Sequence, residues 1–175
     1  DDIIKLLAKI DIANSLKELL QVFSQLPGLL NLLPLKLNSD DVDFGDYTTW
    51  EKMRVAFGDP NWPIPDRSLL LEFDAYQKKI SDKFKSLDYS SVYYIAGQSR
   101  PEKVTISSMK ISDTEGLEFF GTNEGDESVT WATGIPSQVV QRNQLYYAKV
   151  THGGLSNQTS LFGAIEDILS HGKCS

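Results

Sequence analysis

The feature that most constrains the fold is a change of hydrophobic period near residue 90. Before it, apolar residues recur every three or four positions; after it, they come in short unbroken runs. Leu69, Phe73, Tyr76, Ile80, Phe84 and Leu87 form one stripe with Lys78, Lys79, Asp82 and Lys83 off it, the pattern of an amphipathic helix, and Asp66 stands where its cap belongs. Ile12, Leu16, Leu19, Phe23 and Leu26 form a second stripe, broken at Pro27-Gly28. Thr48 with Glu51 reads as a capping box opening a helix through Trp50, Met53 and Phe57. The proline-rich stretch 58–65 that follows cannot be helical, because proline lacks the backbone donor and clashes with the preceding turn.

Beyond residue 90 the pattern predicts strands. Val92-Tyr93-Tyr94-Ile95-Ala96 is a continuous apolar run ending at Gly97, as in a strand covered on both faces. Residues 104–111 and 117–122 flank a five-residue turn, 112–116, and read as a hairpin. A third run, 145–150, stops at Thr151-His152-Gly153-Gly154. A last helix follows with Leu161, Ile165, Ile168 and Leu169 inward and Gly172 as its terminator. Helices alternating with buried strands indicate α/β layering. Two core-type strands are too few for a stable open sheet. The expectation is that the chain, which starts on Asp1 without a methionine, is a piece of a longer protein, or that its sheet pairs with something outside it.

Charge and cysteine content exclude several functions. The net charge is −7 and the largest basic clusters are pairs such as Lys78-Lys79, so no basic patch is present to neutralise a nucleic-acid backbone. Cys174 is the only cysteine, which rules out an internal disulfide and any Cys/His metal spacing. A reducing, cytoplasmic location is the simplest expectation, with no metal and no cofactor. The leucine-rich stretch 16–33 is interrupted by Lys17, Glu18, Gln21, Ser24, Gln25 and Asn31, so it reads as amphipathic rather than as a transmembrane segment. The acidic loop around Asp40, Asp41 and Asp43 lacks the ligand spacing of an EF-hand and reads as a solvated loop.

Two loops carry candidate chemistry: residues 122–131, after the hairpin, and 151–155, directly after a buried strand. Ligands of open α/β sheets bind beyond the carboxyl ends of the strands, where His152 stands. A carboxylate on the preceding strand-end loop, Asp126, can hold the imidazole tautomer and stabilise the imidazolium. The plainer readings are that His152 is a loop residue bonded to backbone, and that Asp126 caps its own turn. His171, in the last turn of a helix, reads as structural. Acid before histidine is the chain order of α/β-hydrolases, in which the serine comes first. No G-x-S-x-G is present. Gly97-Gln98-Ser99-Arg100-Pro101 comes nearest, but Pro101 replaces the second glycine and no helix follows, so Ser99 reads as a loop residue.

Tyr94-Ile95-Ala96-Gly97, then Gly125-Asp126-Glu127-Ser128-Val129-Thr130-Trp131, then Tyr146-Tyr147, then His152-Gly153-Gly154-Leu155 together resemble the C-terminal part of lecithin:cholesterol-acyltransferase-like α/β-hydrolases, in particular bacterial lipase- or esterase-like modules. The stretch 26–34, with Trp50 and Trp62-Pro63, resembles the helical insertion of those modules. The resemblance implies a partial α/β-hydrolase sheet (C-terminal strands, a hairpin and a final helix) in residues 89–175 and a helical, lid-like N-terminal half in residues 1–88. It implies Asp126 as triad acid, His152 as triad base, a serine nucleophile upstream of this chain, and a small-molecule or lipid ester as substrate. Where the family often has glycine after the aspartate, this chain has Glu127, which makes Glu127 the substitute candidate for the acid. The chain alone is then expected to be inactive, to partner the rest of its parent protein, and to expose a strand edge through which a homodimer can form. The rival expectation is a non-catalytic pseudo-hydrolase or scaffold that binds a partner protein through its helical half.

Overall fold

The computed structural model describes residues 16–34, 36, 39, 41–112 and 114–173. The expectations placed on Ile12, Asp40 and Cys174 lie outside the described residues. The architecture is mixed α/β with two small sheets. The chain forms two compact units: residues 1–82 with 109–118, and residues 83–108 with 119–175. Among the described residues no helix is long and apolar enough to cross a membrane.

The first unit is helical. Helix α1 (Leu16–Phe23) is followed by the four-residue α2 (Pro27–Leu30), α3 (Tyr47–Phe57) and α4 (Arg67–Ser86), which continues into the second unit. Its core is Leu30, Trp50, Met53, Leu70 and Phe73, with Met109, Ile111 and Leu117 of the hairpin tip packed against it. Three details differ from the sequence reading. Pro27 ends no helix by itself: it stands at the start of α2, where its missing N–H costs nothing. The cap of α3 is Asp46, whose carboxylate accepts from Thr48 N–H at 2.9 Å, so the capping pair Thr48–Glu51 is displaced by a better acceptor two residues earlier. On α4 the most deeply buried residue is Leu70, off the expected stripe, while Tyr76 and Phe84, and Leu87 just past the helix end, are exposed. The stripe continues past the part of the helix that has a core to cover.

The second unit holds β1 (Tyr94–Gly97) and β4 (Leu145–Ala148), which pair in parallel with Tyr94 opposite Leu145 and Gly97 opposite Ala148. The two apolar runs therefore find each other, although both strands are shorter than the runs that announce them. Between them lie β2 (Thr105–Ser112) and β3 (Gly116–Thr122), paired as the expected hairpin, and two short helices, α5 (Trp131–Gly134) and α6 (Ser137–Gln141). Val139 on α6 is fully buried. After β4 come a 3₁₀ segment, His152–Asn157, and the last helix, α7 (Phe162–His171). Gly172 ends α7 in the left-handed conformation with its N–H on the Ile168 carbonyl, as a C-terminal glycine does. Ile168 faces inward, but Leu169 is exposed, one position off the buried face.

Candidate active site

Both strands of the parallel sheet deliver a loop at their carboxyl ends, and the two loops meet. β1 ends at Gly97, and the chain returns through the hairpin to the acid loop. Ser99 N–H donates to the Gly125 carbonyl at 2.8 Å and so ties the exit of β1 to that loop. β4 ends at Ala148, and His152 opens the 3₁₀ segment four residues later. The His152 N–H donates to the Asp126 carbonyl at 2.9 Å, and His152 Nδ1 lies 2.9 Å from Asp126 Oδ2. Main chain and side chain thus register the two residues against each other.

The surroundings of Asp126 decide the protonation pattern. Its side chain is only 8% exposed, whereas the His152 side chain is 56% exposed. Burial pushes the carboxyl of Asp126 upward. The Val129 N–H at 2.7 Å, the His152 ring and the Ser128 N–H at 3.1 Å outweigh it and hold the group below its ordinary value. An ionised carboxylate only accepts, so Nδ1 carries the proton of this hydrogen bond and the neutral imidazole keeps its lone pair on Nε2. Among the described residues Nε2 makes no hydrogen bond. The two carboxylate oxygens divide their work: Oδ1 closes the turn of its own loop and Oδ2 serves the histidine. Both plainer readings of the sequence, a backbone-capping aspartate and a loop histidine, describe one half of what these residues do.

Glu127, the substitute candidate, is exposed and is not the partner of His152. It has φ 76°, a left-handed conformation that glycine occupies without cost, and its N–H donates to Thr105 Oγ1 at 2.9 Å. Ser99 is buried, and its hydroxyl donates to the Lys103 carbonyl, which makes it a loop tie. His171 ends α7.

Two supporting residues, Trp131 and Thr105, have partners that the sequence does not reveal. Trp131 Nε1 donates to the Gly97 carbonyl at 2.8 Å, and its ring packs on Tyr147 with centroids 4.5 Å apart. Thr105 lies under the acid loop at 1% exposure. The pair borders a cleft of about 80 Å³ lined by β1, Asp126, His152, Val129, Trp131, Ile135 and Leu155 among others. Burial and the negative charge of Asp126 raise the pKa of Tyr94, which also lines the cleft. Among the described residues no serine or cysteine lines this cleft. Among the described residues no three His, Cys, Asp or Glu side chains gather as a metal would require.

Such a pair can take a proton at Nε2 and stabilise the resulting imidazolium through Asp126, which is general-base chemistry in want of a nucleophile. Comparison of the chain with protein-family models, with curated proteins and with solved structures finds no match.

Proposed function

We propose that this chain supplies the acid and the histidine of a serine-type catalytic triad, as the C-terminal segment of an α/β-hydrolase of the lipase, esterase or acyltransferase kind. The observation that carries the reading is the 2.9 Å contact between His152 Nδ1 and a buried Asp126 at the carboxyl ends of two adjacent parallel strands. The chain order, acid before histidine, agrees with it, as does the resemblance of residues 94–97, 125–131 and 152–155 to lecithin:cholesterol-acyltransferase-like hydrolases. The nucleophile comes from outside these residues.

In this reading His152 Nε2 takes the proton of the serine hydroxyl as its oxygen adds to the ester carbonyl. Asp126 holds the ring and balances the charge of the imidazolium. The same proton then passes to the departing alkoxide as the ester C–O bond breaks, so that an alcohol leaves and the acyl group stays esterified to the serine. Water or a second alcohol, deprotonated in turn by His152, takes the acyl group and regenerates the serine. Asp126 and His152 touch or orient the reacting groups; Glu127 does not.

A scaffold reading has one observation in its favour. Helices α3 and α4 expose Val55 and Leu71 at 78% and 71%, apolar side chains that a partner protein would cover. Ester turnover separates the two. The full-length protein is expected to hydrolyse a p-nitrophenyl ester and to lose that activity in His152→Ala, while the purified 175-residue chain is inactive. Turnover by the chain alone, or turnover by the full-length protein that survives His152→Ala, contradicts the triad reading. Absence of turnover in the full-length protein supports the scaffold.

A further inference from the structure

The acid loop is held by one peptide group. Of the peptide joining Asp126 to Glu127, the carbonyl accepts from His152 N–H at 2.9 Å and the N–H donates to Thr105 Oγ1 at 2.9 Å. Both ends of the same rigid plane are therefore bonded to other parts of the unit, 26 residues ahead and 22 residues behind. The orientation it is held in is the unfavourable one. It gives Glu127 a φ of 76°, where a side chain crowds the carbonyl oxygen, and a flip of this single peptide would return Glu127 to ordinary negative φ. The flip would also turn the Asp126 carbonyl away from His152 N–H and break the main-chain register of the pair.

We infer that Thr105 is a positioning residue: its hydroxyl oxygen holds the Asp126–Glu127 peptide against this flip and so keeps Asp126 Oδ2 on His152 Nδ1. Thr105 bonds to the main chain of the loop and not to either side chain of the pair. It is 1% exposed at the first position of β2, so its oxygen is rigidly placed and has no competing solvent. Gly125 shows how tightly the loop sits on it. A Cβ at that position would stand 2.8 Å from Thr105 Cβ and closer still to its Oγ1, far inside van der Waals contact, so only glycine lets the backbone lie flat on the threonine. Three consecutive residues then have distinct tasks: Gly125 seats the loop, Asp126 carries the carboxylate, and Glu127 supplies the N–H that Thr105 holds. The catalytic meaning of this rests on the triad proposed above; the geometry does not.

The test reads the hydrogen bond itself. An imidazole Nδ1 proton shared with a buried carboxylate gives a separate, far-downfield proton resonance, observable on the purified 175-residue chain without substrate. Thr105→Val keeps the shape and removes the acceptor; it is expected to lose this resonance while keeping wild-type circular dichroism. Thr105→Ser restores the oxygen and is expected to retain the resonance. Adding Glu127→Gly to Thr105→Val removes the strain that favours the flip and is expected to recover the signal in part. A resonance unchanged in Thr105→Val overturns the inference. Amide exchange in the wild type gives a second reading that no folding defect can obscure. The Glu127 and His152 N–H groups are expected to exchange slowly, and exchange of the Glu127 N–H at free-loop rates overturns the inference as well. Loss of the resonance in Thr105→Val in a full-length protein that never turns over an ester would leave the positioning role standing and remove the triad.

Discussion

Replacing Gly97 with alanine places one methyl group between the two loops that carry Asp126 and His152. A Cβ on Gly97 would stand 2.6 Å from the Val150 carbonyl oxygen and 2.8 Å from Asp126 Cβ, where ordinary van der Waals contact begins at 3.4 Å. Neither neighbour is the free end of a flexible side chain. Val150 O is backbone two residues before His152, and Asp126 is pinned through Ser128, Val129 and His152. Overpacking of this kind costs about 1–3 kcal/mol, and a backbone clash belongs at the upper end of that range. With a urea dependence of about 1–3 kcal/mol per molar, the unfolding midpoint is expected to fall by roughly 1 M. Gly153→Ala is the control, since a Cβ there meets nothing within 4 Å and its φ is not positive. It is expected to stay within about 0.5 kcal/mol of wild type. Urea unfolding of the two variants side by side decides the matter. Coincident midpoints would refute the claim that the strand end and the acid loop are packed to contact.

Glu127→Gly is expected to raise stability by about 1 kcal/mol by removing a left-handed non-glycine residue, measured by the same urea titration, whereas Asn143→Gly, at φ 54°, gains less because asparagine tolerates that region. The carboxyl of Asp126 titrates lower in the folded state than in the unfolded chain, so its contribution to stability is complete above the ordinary aspartate value. It is lost as pH falls through the lower folded value. Asp126→Asn is therefore expected to flatten the acid limb of a stability-versus-pH curve. Asp74 behaves oppositely: burial, with the nearby charges of Asp43 and Asp46, raises its pKa, so its penalty is absent at low pH and appears as pH rises through that raised value. Asp74→Asn is expected to stabilise the protein at neutral pH and to lose that advantage in acid.

Much of the chain beyond residue 90 is legible in the sequence because its signals are local. Unbroken apolar runs mark β1 and β4, the turn at 112–116 marks the hairpin, and Gly172 marks the end of α7. The same locality places Asp126 and His152 on strand-end loops. What the sequence leaves open is settled by contacts between distant residues. The choice between Asp126 and Glu127 depends on which carboxylate faces β4, and a left-handed backbone at Glu127 turns that side chain outward. Thr105 and Trp131 act across 22 and 34 residues, and an ordinary threonine or tryptophan carries no mark of such a partner. On the helices the misreadings have a different cause. Asp46 takes the cap of α3 because a carboxylate at that position reaches Thr48 N–H, and Leu70 rather than Leu69 is most deeply buried because the local core, not the longest stripe, sets the inward face.

The central claim is that Asp126 and His152 activate a serine that lies outside these residues. Its most direct test is to label the full-length protein with a fluorophosphonate and locate the adduct by peptide mass spectrometry, in wild type and in His152→Ala. The account predicts one adduct, on a serine outside these 175 residues, that disappears when His152 is replaced. An adduct on a serine within them, Ser99 included, or labelling undiminished in His152→Ala, would contradict it.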